Sequence, residues 1–260
     1  KMCLIEDFEP EHANTFEAGR VRRFRKGSGI PLKVPVIDLI EIGAGGGSIS
    51  RFDAMGLLKV GPDSAGSEPG PVCYGLGGED PTVTDADLLL GYLSPDYFLG
   101  GEMSLDVDVV RDAIGTKLAG PSGLDVIAVA AGIHAIVNNN MAAATRSHIA
   151  EKGRDPRRYT LVATGGAGPV HAYGVAKQLK LSRFICPLGA GVSSALGFLI
   201  AAPATEGVSS YVSRIDQIDL DQVLKIYRNM SETAIQSLVE AGGDVNKINI
   251  KRRVEMRYLG

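Results

Sequence analysis

Two glycine clusters, each set directly after an apolar strand-like run, constrain this chain more than any other feature. Thr164-Gly165-Gly166-Ala167-Gly168-Pro169-Val170-His171-Ala172 follows the apolar run 159–163 and opens onto an apolar-periodic segment, 170–179. Glycine between strand and helix lets the backbone approach a ligand closely. It also points free N–H groups and the positive end of a helix dipole at electron-rich groups. Pro169 suits the first helical position, where its missing N–H costs nothing. The second cluster, Gly43-Ala44-Gly45-Gly46-Gly47-Ser48, follows the run 34–42. Two such loops suggest a nucleotide held between them, with Gly43, Gly45, Gly46, Gly47, Gly165, Gly166 and Gly168 as the binding positions.

The spacing of elements predicts an α/β chain. Short strands are expected over 1–6, 14–25, 34–42 and 48–52, separated by Gly/Pro turns. A long Gly/Pro-rich loop then runs over 61–84, a length usually reserved for function. Helices are expected over 85–93 with Thr84 as N-cap, over 106–118, and over 124–152, which is rich in alanine. Strand 159–163, helix 170–179, strand 183–187, a Gly189-Ala190-Gly191 loop and helix 193–200 complete an alternating stretch. The tail holds an amphipathic helix over 219–241 and a strand over 249–259. The whole reads as one domain fragment: a β-rich start to residue 60, a functional loop and helical insert to 152, nucleotide-side units to 210, then a helix and strand. Both ends read as cut, since Lys1-Met2-Cys3-Leu4-Ile5 begins within a strand and Tyr258-Leu259-Gly260 closes just after another.

Charge and composition exclude several classes. A net charge of −3 gives no global field for nucleic acid, and the short basic run 20–26 reads as a solvated hairpin face. No uninterrupted apolar stretch reaches the roughly 18 residues of a membrane span. Three cysteines are too few for a disulfide framework, which fits a cytoplasmic protein.

The Gly43 cluster supplies the first two glycines of a dinucleotide fingerprint, with Asp63 about twenty residues on. Ser48 stands at the third glycine position, however, and a strand-like run follows instead of a helix. A tight hairpin turn and a phosphate- or substrate-facing turn both stay open. No P-loop, H-E-x-x-H or G-x-S-x-G occurs. Among acids beside the glycine-rich segments, Asp85 and Asp38 are the candidate catalytic carboxylates, able to orient a nucleophile or hold Mg²⁺. Asp87 lies two residues from Asp85, off its helix face, where it can complement the helix dipole. His171, just inside a helix N-terminus, is expected to be neutral, and either ligates a metal or packs as a polar core histidine. His134 and His148, fourteen apart on one helix, stand about 21 Å apart along its axis and cannot share an ion. Asn138, Asn139 and Asn140 face either a polar cavity, the favoured reading, or a polar seam between elements.

At these residues the chain resembles the hydantoinase A / 5-oxoprolinase / acetone carboxylase family. The similarity is carried by the run Asp38-Leu39-Ile40-Glu41-Ile42 with the Gly43–Ser48 turn, by Val60-Gly61-Pro62-Asp63-Ser64-Ala65-Gly66 through Gly75, by Pro81-Thr82-Val83-Thr84-Asp85-Ala86-Asp87, and by the segment 165–172. Arg257-Tyr258-Leu259-Gly260 adds a weaker match. The resemblance implies an actin-like (ribonuclease-H-like) ATPase lobe with a mixed sheet flanked by helices. It implies ATP with Mg²⁺ or another divalent metal, and attack on a cyclic amide such as hydantoin or 5-oxoproline. The alternatives are a ketone carboxylase subunit and a non-catalytic nucleotide-binding subunit. It further implies a second, B-type subunit, a homo-oligomer, and an upstream phosphate loop absent from these residues, so that the piece alone would not turn over ATP. Ile40 and Glu41 stand where many hydantoinase-type relatives carry a histidine, which tilts modestly toward the carboxylases.

Overall fold

The computed structural model describes residues 1–19, 27–34 and 36–258. The basic run 20–26, expected as a hairpin face, lies outside them. The chain divides into two compact units, Lys1–Leu196 and Gly197–Gly260.

Among the described residues, eight short strands open the first unit: β1 (Met2–Cys3), β2 (Ile5–Glu6), β3 (Glu9–Pro10), β4 (His12–Ala13), β5 (Phe16–Ala18), β6 (Ile30–Leu32), β7 (Val36–Ile37) and β8 (Leu39–Ile40). They pair antiparallel as β1–β8, β2–β3, β4–β7 and β5–β6. Backbone bonds from Glu11 N to Leu4 O and from Asp38 N to Glu11 O stitch neighbouring ladders together. β9 (Ser48–Phe52) pairs antiparallel with β10 (Leu58–Ser64), with a register shift between Val60 and Ser64. The expected loop from residue 61 therefore starts only after Ser64. Pairing with β9 carries the strand past Gly61 and Pro62, and an Arg51–Asp63 ion pair at 2.9 Å supports the ladder.

The helices begin where side chains satisfy their free N–H groups. α1 spans Val83–Leu89, two residues earlier than expected, with Thr82 as N-cap in place of Thr84. The reason is a capping box: Asp85 Oδ2 accepts from Thr82 N at 2.8 Å, and Asp85 N donates to Thr82 Oγ1. α2 (Val107–Ile114) is capped by Asp106, which accepts from Asp108 N and Val109 N. The continuous helix expected to residue 118 instead widens into a π turn over Gly115–Ala119 and ends in the single turn α3 (Gly120–Ser122). Glycine at 115 and 120, with Pro121 between them and α4, removes the side chains and the donor a regular helix would use.

α4 (Val126–Glu151) is the 26-residue spine of this unit, capped by Asp125. By length and hydropathy it could cross a membrane, although polar residues interrupt its apolar run. Here it is a core helix. Val129, Ala130, Ile133 and Val137 join Val83, Ala86, Leu88, Val110 and Ile114 in one buried cluster. Farther along, Ala142 meets Val175 and Leu179 of α5 (Gly168–Leu179). β11 (Leu161–Val162) and β12 (Phe184–Ile185) flank α5 and pair in parallel, as strand–helix–strand connectivity requires. With antiparallel ladders before it, this pair makes the chain a mixed α/β fold.

α6 (Ser193–Ile200) contains the division between the units. In the second unit α7 (Leu220–Glu240) is capped by Asp219. The strand expected over 249–259 is not formed among the described residues 249–258. Among the described residues no strand pairs with it to take up its backbone groups, and a run without a pairing partner does not become a strand.

Candidate functional site

α1, α4 and α5 each send one titratable side chain to a common point. Asp87 lies in α1, His134 in the first half of α4, and His171 in the first turn of α5. One ligand atom from each falls within 4.8 Å of the other two. His134 Nδ1 is 2.7 Å from Asp87 Oδ1, and His171 Nε2 is 3.4 Å from Asp87 Oδ2. The His134 ring lies between aromatic neighbours, stacked on Tyr92 at 4.7 Å and 5.0 Å from the His171 ring.

Two devices hold His171. Its Nδ1 donates to Asn138 Oδ1 at 2.9 Å, so Nε2 presents a lone pair toward Asp87. Asn138 reaches that position because residue 174 is glycine. A Cβ there would overlap the Asn138 amide, with Cγ 2.7 Å away. Asn138 thus fills a polar seam between α4 and α5, and the cavity reading of the asparagine run gives way to the seam. Asn139 is exposed and takes no part in it.

Burial sets the protonation. Withdrawal from water raises the Asp87 carboxyl to about 6, against the stabilising bond from His134. The same withdrawal, followed by the nearby His134, lowers His171 to about 4. His171 is therefore neutral near pH 7, as expected, but burial rather than the helix dipole leads. His171 Nε2 has no hydrogen-bond partner and the residue is 1% exposed.

The other expected site residues lie elsewhere. Asp85 is 0% exposed and accepts from Val72 N, Cys73 N, Thr82 N and Thr82 Oγ1. With four internal donors on its two oxygens, this expected catalytic carboxylate ties the first turn of α1 to the 72–73 segment. Burial, with the Asp85 carboxylate beside it, pushes the Cys73 thiol far above its ordinary range. Asp38 pairs with Lys152 at the C-terminal end of α4, which also holds Glu11, and does not join the Asp87 cluster. Burial opposes the Lys152 charge, but the two carboxylates outweigh it and lift its pKa. That salt bridge gives Asp38, the other expected catalytic carboxylate, a structural task.

The Gly43 turn is packed against the start of α1. Thr84 N donates to Gly46 O at 2.8 Å and Ala65 N to Gly47 O at 2.9 Å. A Cβ at Gly46 would come within 2.5 Å of Thr84 Oγ1, and one at Gly47 within 2.8 Å of Ser64 Oγ. Close packing thus accounts for two of its glycines. Gly43 takes a positive φ of 61°. At the other loop, Gly165 has φ 87° and its N–H donates to Ala190 O, while the space around Gly166 is open to 4 Å. Gly168 begins α5, three residues before His171.

Comparison with known proteins places the molecule. Residues 1–207 match the Hydantoinase/oxoprolinase family. The chain belongs to that family. It is 39% identical over 230 residues to the caprolactamase subunit alpha of Pseudomonas jessenii, covering 87% of this chain and 33% of that one. The crystal structure of that ATP-dependent caprolactamase superposes with a TM-score of 0.68 at 36% identity, over 84% of this chain and 32% of the other. A nucleotide-free acetone carboxylase structure gives a TM-score of 0.69 at 30% identity, over 87% and 33%. 5-oxoprolinase 1 of Arabidopsis thaliana is 32% identical over 250 residues, 90% of this chain and 20% of that protein. The chain spans about a third or less of these relatives.

Asp87 and His134 were legible in the sequence as single groups but not as partners of His171. Their signal was weak: 47 residues separate them, and only helix packing brings the carboxylate to the ring.

Proposed function

We propose that this chain is part of an ATP-dependent enzyme that opens a cyclic amide, of the lactam, hydantoin or 5-oxoproline type. The observation that carries this reading is the 39% identity to a caprolactamase subunit over most of the chain. In the reaction the γ-phosphoryl group of ATP moves to the amide carbonyl oxygen, leaving ADP. Water then adds at the carbon, the ring C–N bond breaks, and phosphate departs. Mg²⁺ would accompany the triphosphate, as charge neutralisation in phosphoryl transfer requires.

The chain's own contribution on this reading is an actin-like lobe whose 165–168 loop faces the nucleotide. Gly166 is its suitable contact point, because no protein atom approaches its Cβ direction. Gly166→Val is expected to weaken ATP binding about tenfold or more while leaving the melting temperature nearly unchanged. Unaltered affinity in calorimetric titration would remove the loop from the site. The relatives named as subunits support a second subunit and assembly into an oligomer, and the free cysteines suit a cytoplasmic setting.

The acetone carboxylase superposition favours one second reading, an ATP-dependent ketone carboxylase subunit. Phosphate release by the complete enzyme with its partner subunit separates the two. Stimulation by lactams or hydantoins supports the amide reading; stimulation only by ketones with bicarbonate supports the carboxylase.

A further inference from the structure

We propose that Asp87, His134 and His171 form a three-ligand site for a divalent transition-metal ion of the zinc class, with a fourth coordination position open and Asn138 as its positioning residue. The inference does not depend on the substrate reading, since it concerns ion binding by the protein alone.

The first argument is the orphaned lone pair. His171 Nδ1 is committed to Asn138, so its buried Nε2 faces Asp87 Oδ2 as an acceptor facing an acceptor. Such a pair needs a proton or a cation between its members. A shared proton would draw the nitrogen and oxygen to about 2.5–3.2 Å, the span of O–H and N–H hydrogen bonds. They stand at 3.4 Å. An ion held about 2.0–2.1 Å from each ligand in tetrahedral geometry keeps the ligand atoms about 3.4 Å apart. The observed gap is the one a shared ion leaves.

The second argument is the donor set. Two imidazoles and one carboxylate suit zinc-class ions, whereas Mg²⁺ prefers oxygen alone. Three protein ligands are also the number that catalytic zinc sites use, keeping the fourth place for water or a substrate oxygen. Admission of the ion asks His134 Nδ1 to part from Asp87 Oδ1 by about 0.7 Å, from 2.7 Å to the same ligand spacing. His134 is the least enclosed of the three, its side chain 14% exposed.

The third argument is the support around the ligands. Metal-bound histidines normally donate their second N–H to a fixed acceptor, which holds tautomer and ring plane. Asn138 does this for His171, and Gly174 makes room for Asn138. α1, α4 and α5 are packed helices, so the ligands sit on a rigid frame.

The test uses the purified protein, stripped with chelator and titrated with Co²⁺, whose visible absorption reports coordination, and with Zn²⁺ by calorimetry. One equivalent should bind, and Zn²⁺ should raise the melting temperature. His171→Ala and His134→Ala should each lower affinity at least about 100-fold. Asn138→Ala should lower it 10- to 100-fold, and Asn138→Asp, which keeps an acceptor at Nδ1, should restore it. That rescue is a result that loss of packing would not produce. If His171→Ala fails to fold, the less buried His134→Ala decides. Absence of saturable Co²⁺ binding would overturn the proposal, as would binding indifferent to His134→Ala. Loss of ATP hydrolysis bears on the proposed function and leaves these binding results standing.

Discussion

Asp85→Ala is expected to cost on the order of 3–5 kcal/mol of folding stability, enough to shift the melting temperature by roughly 10 °C. The carboxylate accepts four hydrogen bonds in the interior, three from backbone N–H groups and one from the Thr82 hydroxyl. Truncation leaves those donors buried and unpaired, and each carries a desolvation penalty of about 1–3 kcal/mol. It also removes half of the capping box, so α1 loses its start as well as its tether to Val72 and Cys73. Asp85→Asn should recover only part of the loss, because its amide nitrogen would face a donor. Urea unfolding of the three proteins checks this. An Asp85→Ala protein with wild-type stability and abolished turnover would favour the catalytic role that its place in the motif suggested.

Gly174→Val is expected to destabilise the fold by about 3 kcal/mol. Its Cβ would overlap the Asn138 amide, which is buried between two helices and has no free direction in which to retreat. Overpacking of this kind typically costs 1–3 kcal/mol, and the branched side chain belongs at the upper end. The damage should reach the site, because displacing Asn138 breaks its bond to His171 Nδ1. NMR of the histidine ring nitrogens should then show the Nδ1–H tautomer lost or mixed. Gly166→Ala is the matching control, since a Cβ there meets nothing. A Gly174→Val protein as stable as the control would mean that α4 and α5 do not approach as closely as described.

Much of the fold was legible along the chain because helix signals are local. The helices expected from 106, 124 and 219 begin within two residues of those positions, because the side-chain oxygens of Asp106, Asp125 and Asp219 need only the next few N–H groups to act as caps. The alanine-rich period of α4 and the strand–Gly–helix order around Gly168 are likewise short-range. Errors occurred where distant partners decided. Thr84 lost the cap to Thr82 because Asp85 reaches back while also holding Val72 and Cys73. β10 continued past Gly61-Pro62 because β9 lay beside it, and 249–258 formed no strand because no strand among the described residues pairs with it.

Family membership and the glycine positions that line loops follow from residue order alone, since motif and backbone freedom are properties of neighbouring residues; the neutrality of His171, set first by burial, needs the packed helices. Which side chains meet is another matter. Asp87, His134 and His171 are separated by 47 and 37 positions, and no periodicity within one element relates them. They converge because α1 and α5 both pack on α4, and because burial on that helix turns a dipole-friendly aspartate and two isolated histidines into one coupled group.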